Sequence, residues 1–323
     1  MILDQAEMIL LLASLLDYLI GDPREWLHPV QVMGWVISRL TKRVIKTTQN
    51  KHLTSLAGVA IALIIIISSG LLGWLIPWVL IKVHPNFGMT SQILLLASCF
   101  AARSLKNAAV DVLTPLNNGN IELAREKLSQ YVGRDTEELS EPEILRAILE
   151  TVTENAVDGV MAPLFYAIVG AFIPFCGSIP LALAYKALST LDSMIGYKKE
   201  PFTDIGWFSA KFEDYVTWLP CRLTVLTLAL ISGRPKQVLG ICWRDAPQDP
   251  SPNSGWSECI YAAILGVQVG GINRYKGTII EKPLLGDAVT PITSEIIEQA
   301  LRLTRICFLV WLGLGVMLLW LVS

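Results

Sequence analysis

The densest chemistry in the sequence is Glu150-Thr-Val-Thr-Glu154-Asn155-Ala-Val-Asp158-Gly159. On a helix, positions i, i+4 and i+8 share a face, so Glu150, Glu154 and Asp158 would stack three carboxylates. Like charges so placed repel by roughly 0.2–0.5 kcal/mol per exposed pair, and by more where water is excluded. A cation, basic side chains or solvent must offset that repulsion. The stripe runs into an apolar segment from Val160 onward, which argues against a simple wet face, although a solvated acidic face is the plain alternative. Mg²⁺ suits such a stripe because it takes oxygen ligands, often one or two carboxylates together with substrate phosphates.

Three further clusters stand where polar and apolar residues meet. Lys186, Thr190, Asp192, Ser193 and Lys198 emerge directly from an apolar run. A lysine at a membrane edge commonly snorkels, and its company with Asp192 and Ser193 points beyond that. Phe212-Glu213-Asp214 precedes Trp218-Leu-Pro220-Cys-Arg222. A guanidinium entering an apolar run needs an anionic partner, such as a phosphate. In Arg244-Asp245-Ala-Pro-Gln-Asp249-Pro250-Ser-Pro252-Asn253, the prolines make a stiff loop able to hold Asp245 and Asn253 rigidly. No P-loop, dinucleotide fingerprint, nucleophile elbow or HExxH motif is present. The three histidines lie far apart and the six cysteines form no Cys-x-x-Cys, so no zinc site, haem attachment or disulfide framework is expected.

The elements that must carry these groups follow from composition. The chain has 323 residues, 53% hydrophobic and 17% charged, with a mean hydropathy of +0.50. Residues 53–81, 83–102, 159–185 and 306–323 contain no Asp, Glu, Lys or Arg. A bilayer core needs roughly 20 apolar residues of helix, so the class is an integral membrane protein. The net charge of −2 carries no basic footprint for nucleic acid.

An all-α, polytopic fold of about four to six spans is expected, forming one membrane-embedded domain over residues 1–323. The N-terminal run 8–20 reads as a retained helix, with Asp17 turned toward protein or an aqueous cavity. The 29 residues from 53 to 81 exceed one span, so that helix must tilt or break, with Pro77 as the breakpoint. Five basic residues from Arg39 to Lys51 mark the preceding loop as cytoplasmic. Residues 91–102 suit an embedded half-helix. Residues 103–158, with eleven acidic and six basic side chains, form a polar helical region, with a helix starting at Ser140-Glu-Pro-Glu143. Residues 159–185 read as two short helices meeting at FIPFCGSIP, which requires a protein-lined cavity if at membrane depth. Residues 186–222 are polar and helical, 233–258 a Pro-rich polar loop, and 273–305 mostly polar before a terminal hydrophobic helix. The glycines from 266 to 271 are read as the packing of a short helix.

Longer motifs then converge. Gly21-Asp22-Pro23, His28-Pro29-Val30, Tyr131-Val-Gly-Arg134-Asp135-Thr, Glu154-Asn155-x-x-Asp158-Gly159 and Ala162-Pro-Leu-Phe-Tyr166 occur in order. They continue through Ala184-Tyr-Lys186, Thr190-Leu-Asp192-Ser-Met-x-Gly196-Tyr-Lys198, Arg244-Asp245-Ala and Pro250-Ser-Pro-Asn253-x-Gly255-Trp256. Over nearly its whole length the chain resembles the adenosylcobinamide-phosphate synthase family of cobalamin biosynthesis. It departs from the family's pattern at Ser189, Glu213 and Asp249, the last replacing a histidine.

The resemblance implies ATP-dependent amide ligation of adenosylcobyric acid, a corrinoid, with aminopropanol phosphate or ethanolamine phosphate. It implies a catalytic set of Glu154, Asn155, Asp158, Lys186, Asp192, Asp214 and Asp245, with Asp214 or Asp245 taking the amine's proton. Lys198, Arg222, Arg244, Asn253, Asp22 and His28 would hold substrate or phosphate. Glu154, Asp158 and Asp192 would hold Mg²⁺, with ATP as co-substrate. The polar regions would face the cytoplasm, and a homo-oligomer or association with other cobalamin-assembly enzymes is compatible. The competing class is a transporter of a corrinoid or another small anionic solute, since broken helices and intramembrane polar groups also serve transport.

Overall fold

A computed structural model describes residues 6–21, 28–48 and 50–322. In chain order the helices are α1 (Ala6–Leu19), α2 (Pro29–Thr47), α3 (Lys51–Val83), α4 (Pro85–Ala97), α5 (Ala102–Asn117), α6 (Ile121–Leu128) and α7 (Glu141–Ala156). A π turn, Val157–Met161, leads into α8 (Ala162–Phe172) and α9 (Ser178–Ile195). Then come α10 (Trp207–Ile231), α11 (Pro235–Asp245), a 3-10 turn (Ala246–Gln248) and α12 (Ser254–Leu265). An antiparallel hairpin of β1 (Val269–Tyr275) and β2 (Thr278–Leu285) precedes α13 (Ser294–Val322).

Among the described residues, four stretches are long and apolar enough to cross a membrane: Lys51–Val83, Glu141–Phe172, Trp207–Ile231 and Ser294–Val322. A fifth arises if α4 and α5 make one broken span. The chain is thus a polytopic helical membrane protein. It folds into two compact units, one of Met1–Arg103, Ala162–Thr217 and Val310–Ser323, the other of Ser104–Met161 and Trp218–Leu309. Each unit is assembled from separated stretches, so no single cut in the sequence isolates either.

In the first unit, α2 starts where His28 Nδ1 accepts from Val30 N at 3.3 Å and Pro29 occupies a position whose N–H is not needed. Asp17 is 3% exposed on α1, inside protein as a charge in an apolar helix requires. The two short helices foreseen around FIPFCGSIP are α8 and α9, with Gly177 at φ +80° before α9.

Pro77 does not break its helix, contrary to expectation. The 33-residue α3 runs through it, and the four-residue-earlier partner, Gly73, packs against Leu183 and Ile179 of α9. Pro removes one ladder bond, which a long helix with supporting neighbours tolerates. At about 1.5 Å per residue α3 outreaches the hydrocarbon core, leaving tilt as the accommodation.

In the second unit, α7 begins with the foreseen capping arrangement: Glu143 Oε2 accepts from Ser140 N at 2.7 Å and Ser140 Oγ at 2.6 Å. Two readings are corrected there. The Pro-rich stretch 233–258 is half helical, because Pro235 starts α11 at its first position and the remaining prolines fall in the turns before α12. The glycines after 265 cap α12 and build a strand: Gly266 is left-handed, and Gly270 sits at φ +92° in a bulge where a Cβ would overlap the Pro283 carbonyl. Residues 269–285 are a hairpin turning at Lys276-Gly277, both with positive φ, the geometry of a two-residue primed turn.

Helix α3 approaches the backbone of the 196–206 loop so closely that a Cβ on Gly58 would overlap the Ile205 carbonyl. Gly58→Val should therefore destabilise the protein in detergent by about 1–3 kcal/mol, the range for overpacking. A melting temperature equal to that of the native sequence would contradict this packing.

Candidate active site

The carboxylate stripe foreseen on α7 divides by burial. Glu150 is 1% exposed. Glu154 and Asp158 are half-buried and Asn155 is exposed. The π turn begins at Val157, so Asp158 lies beyond the regular α-helical winding that carries Glu150 and Glu154.

Glu150 is answered by the chain itself. It is ion-paired with Arg134 Nη2 and accepts from Gly270 N at 2.9 Å. Arg134 Nη1 donates to Asn273 Oδ1 at 2.8 Å, and Arg146 Nη2 donates to Ile272 O at 2.9 Å. Next to Arg134, Asp135 accepts from Lys276 N at 2.8 Å and Gly277 N at 2.7 Å. Those two N–H groups hold the Asp135 carboxyl below its ordinary value. The Arg134-Asp135 motif therefore grips both the body and the tip of the hairpin.

The hairpin in turn delivers Lys282. Its Nζ lies 3.8 Å from Glu258 Oε1 on α12, a carboxylate only 1% exposed that accepts no hydrogen bond at that oxygen among the described residues. Burial pushes the Glu258 carboxyl well above its usual range; Lys282 opposes this, while Glu154, Glu150 and Asp249 add to it. Burial alone would lower the Lys282 ammonium, but Glu258, Glu154 and Glu150 outweigh it and raise it. Ser257 Oγ donates to Thr153 O, tying α12 to α7 beside this group. The charges of Glu150, Glu154 and Asp249 thus act on Glu258, and Lys282 opposes them.

Other foreseen residues of this unit hold backbone. Asp245 is paired with Arg244 through Nε at 2.6 Å and Nη2 at 2.7 Å, and accepts from Gly286 N at 2.9 Å. Despite burial, those bonds keep its carboxyl below the usual range, the opposite of what a proton acceptor near neutral pH needs. Arg244 also reaches Asp287 Oδ1 at 2.7 Å. Arg222 Nη2 donates to Pro252 O at 2.8 Å, and its guanidinium lies 4.4 Å from the centre of the Trp256 ring, so part of its charge is met without an anion. Asn253, 5% exposed, caps α12, and its carbonyl accepts from Cys221 Sγ at 3.4 Å.

The remaining foreseen residues belong to the first unit. Tyr185 OH meets Thr217 Oγ1 at 3.0 Å, Thr217 donates to Glu213, and Tyr166 stacks on Tyr185 with centroids 5.1 Å apart. Asp192, Asp214 and Lys186 are half-buried, and Lys198 is exposed. Asp214 Oδ2 is 3.5 Å from Lys211 Nζ, whereas its neighbour Glu213 is only 7% exposed. His28 is the cap of α2, and Asp22 lies outside the described residues.

Of the expected Mg²⁺ set, Glu154 and Asp158 belong to one unit and Asp192 to the other; among the described residues no three His, Cys, Asp or Glu side chains are grouped to hold a metal ion. Lys282 and Arg134 act on Glu154 electrostatically. Sequence reasoning missed Glu258 and Lys282. Glu258 carried a usable signal, a lone carboxylate within the apolar run Trp256 to Leu265, as Asp17 did. Lys282 carried none without the hairpin.

A family profile described as CobD/Cbib protein matches residues 10–304. The cobalamin biosynthesis protein CobD of Synechocystis sp. is 56% identical over 303 residues, covering 94% of this chain and 89% of the relative. CobD of Citrobacter koseri is 40% identical over 300 residues, covering 90% and 91%. CbiB of Salmonella typhimurium is 38% identical over 296 residues, covering 90% and 91%. No solved structure matches.

A raised carboxyl gives a testable pH slope. Folded Glu258 keeps a proton that the unfolded chain releases above about its ordinary value of 4.5, so stability falls as pH rises from there through the raised value. Glu258→Gln should flatten the melting temperature across that range. An unchanged slope would contradict the assignment; losses tied to Asp135 and Asp245, whose carboxyls are lowered, fall only on further acidification.

Proposed function

The chain belongs to the CobD/CbiB family, the adenosylcobinamide-phosphate synthases, and from that premise we propose that it serves cobalamin biosynthesis by amide ligation. The substrates are adenosylcobyric acid and aminopropanol phosphate or ethanolamine phosphate, with ATP as co-substrate. The observation that carries the reading is the half-buried Glu154, whose charge acts on the buried Glu258 and the half-buried Lys282 3.8 Å from it. An amide-forming site needs a group to take the amine's proton and fixed positive charge where phosphate departs.

The reaction runs in two steps. An oxygen of the corrinoid propionate attacks the terminal phosphorus of ATP, releasing ADP and leaving an acyl phosphate. The amine nitrogen then attacks the acyl carbon, the bond from that carbon to the phosphate oxygen breaks, and the nitrogen's proton passes to Glu154. Lys282, fixed by the hairpin, faces the charge that develops on the departing phosphate. Asp245 is left out of proton transfer because its carboxylate is committed to Arg244 and Gly286. Asn155 and Asp158, on the same helix end, and Arg222 and Asn253 orient substrate in this reading. In this reading Glu154 serves as the base, and no step is drawn through Mg²⁺. The polar regions face the cytoplasm, as the basic residues from Arg39 near the end of α2 to Lys51 at the start of α3 support for that edge of the membrane.

Mass spectrometry of purified protein with the two substrates and ATP tests this reading. Native protein should form adenosylcobinamide phosphate, and Glu154→Gln should lose about 10²–10⁴-fold in rate, the span of general-base catalysis, with its melting temperature kept. No product, together with uptake of labelled corrinoid into sealed vesicles, would establish transport instead.

A further inference from the structure

The second unit holds a cavity of about 640 Å³ between α5 and the N-terminal part of α13, away from the residues assigned above. The two helices run antiparallel along it. Ser294 Oγ donates to Asn117 Oδ1 at 2.8 Å at one end, and eleven residues along each helix, Lys106 and Arg305 line the other. Arg302 lies one turn before Arg305 on α13 and lines the same cavity. Three cationic side chains therefore gather at one end of the groove. Among the described residues, neither the Lys106 ammonium nor the Arg302 guanidinium has a carboxylate within ion-pair distance. Glu295 and Glu298 line the cavity nearer the Asn117 end.

The basic end is also the membrane end. From Ile306 onward α13 carries no charged residue, so Arg305 is the last charge before the hydrocarbon depth. The walls between are apolar: Val110, Leu113 and Leu301. Basic groups at headgroup level, above an apolar groove and beside a membrane-spanning helix, match the chemistry of an acidic lipid. A phosphate would sit among Lys106, Arg302 and Arg305, with its acyl chains running along the charge-free part of α13. A soluble phosphate compound would gain nothing from those apolar walls, which is why the lipid is the favoured source.

We propose that Lys106, Arg302 and Arg305 form a binding site for the headgroup of an anionic phospholipid. A basic residue near an anionic headgroup contributes about fivefold in affinity, so removing two should weaken binding by about 25-fold.

Native mass spectrometry of the full-length protein in detergent, titrated with dioleoylphosphatidylglycerol or dioleoylphosphatidylcholine, tests this. The native protein should retain phosphatidylglycerol in preference to phosphatidylcholine. Lys106→Gln/Arg302→Gln should lose that preference, while Lys106→Arg/Arg302→Lys should keep it and guard against misfolding. Lys236→Gln, at an exposed position of α11, should bind as the native protein does. Equal retention of both lipids, an undiminished preference in the glutamine variant, or equal loss in Lys236→Gln would overturn the proposal. Displacement of the lipid by millimolar ATP or phosphoethanolamine would also overturn it, assigning the cavity to a soluble phosphate.

Discussion

The second unit depends on neutralising one buried carboxylate. Glu150 is removed from water on α7, and an isolated ionised group there would cost far more than the marginal stability of a domain. Arg134 supplies the opposite charge and Gly270 a backbone N–H. Both partners come from outside the helix, so satisfying one residue obliges two distant stretches to meet. Buried pairs of this kind contribute little net stability, because desolvation nearly cancels attraction. Their effect is to make one arrangement far better than its neighbours.

The rest follows in order. Arg134 also grips Asn273, and Asp135 takes the two amides at the hairpin tip. With β1 and the tip held, the register places Lys282 opposite Gly271, and Lys282 is the ammonium beside Glu258. At the far end of β2, Gly286 N is held by Asp245, itself locked by Arg244. A two-stranded hairpin is marginal alone in water. Here charged side chains from α7, α11 and the loop before α7 fasten its tip, its body and its exit, leaving Lys282 little freedom.

Much of this was legible in residue order. Membrane class, the helix start at Ser140, the inward-facing Asp17 and the α8–α9 break follow from hydrophobic runs, capping chemistry and the cost of charge in lipid. These are local signals. The hairpin was not legible, because Gly270 and Gly271 resemble helix packing until their positive φ and the nearby Pro283 carbonyl are seen. Glu154 was read as one of three equivalent acids, since a periodic count assumes an unbroken α-helix and the π turn at Val157 ends that assumption. Asp245 was read as a base on type alone, and only its contacts to Arg244 and Gly286 show a clamp. Arg134 and Asp135 stood in a recognised motif without a role, because their partners in the hairpin lie about 140 residues away.

The central claim is that Glu150 holds the hairpin in place, and hydrogen–deuterium exchange of Glu150→Gln measures it directly. The account predicts that amides in Val269–Leu285 exchange at least about tenfold faster than in the native protein, as expected for losing a charged hydrogen bond worth ~1.5–3 kcal/mol, while α3 and α9 are unchanged. Unaltered protection across Val269–Leu285 would contradict it.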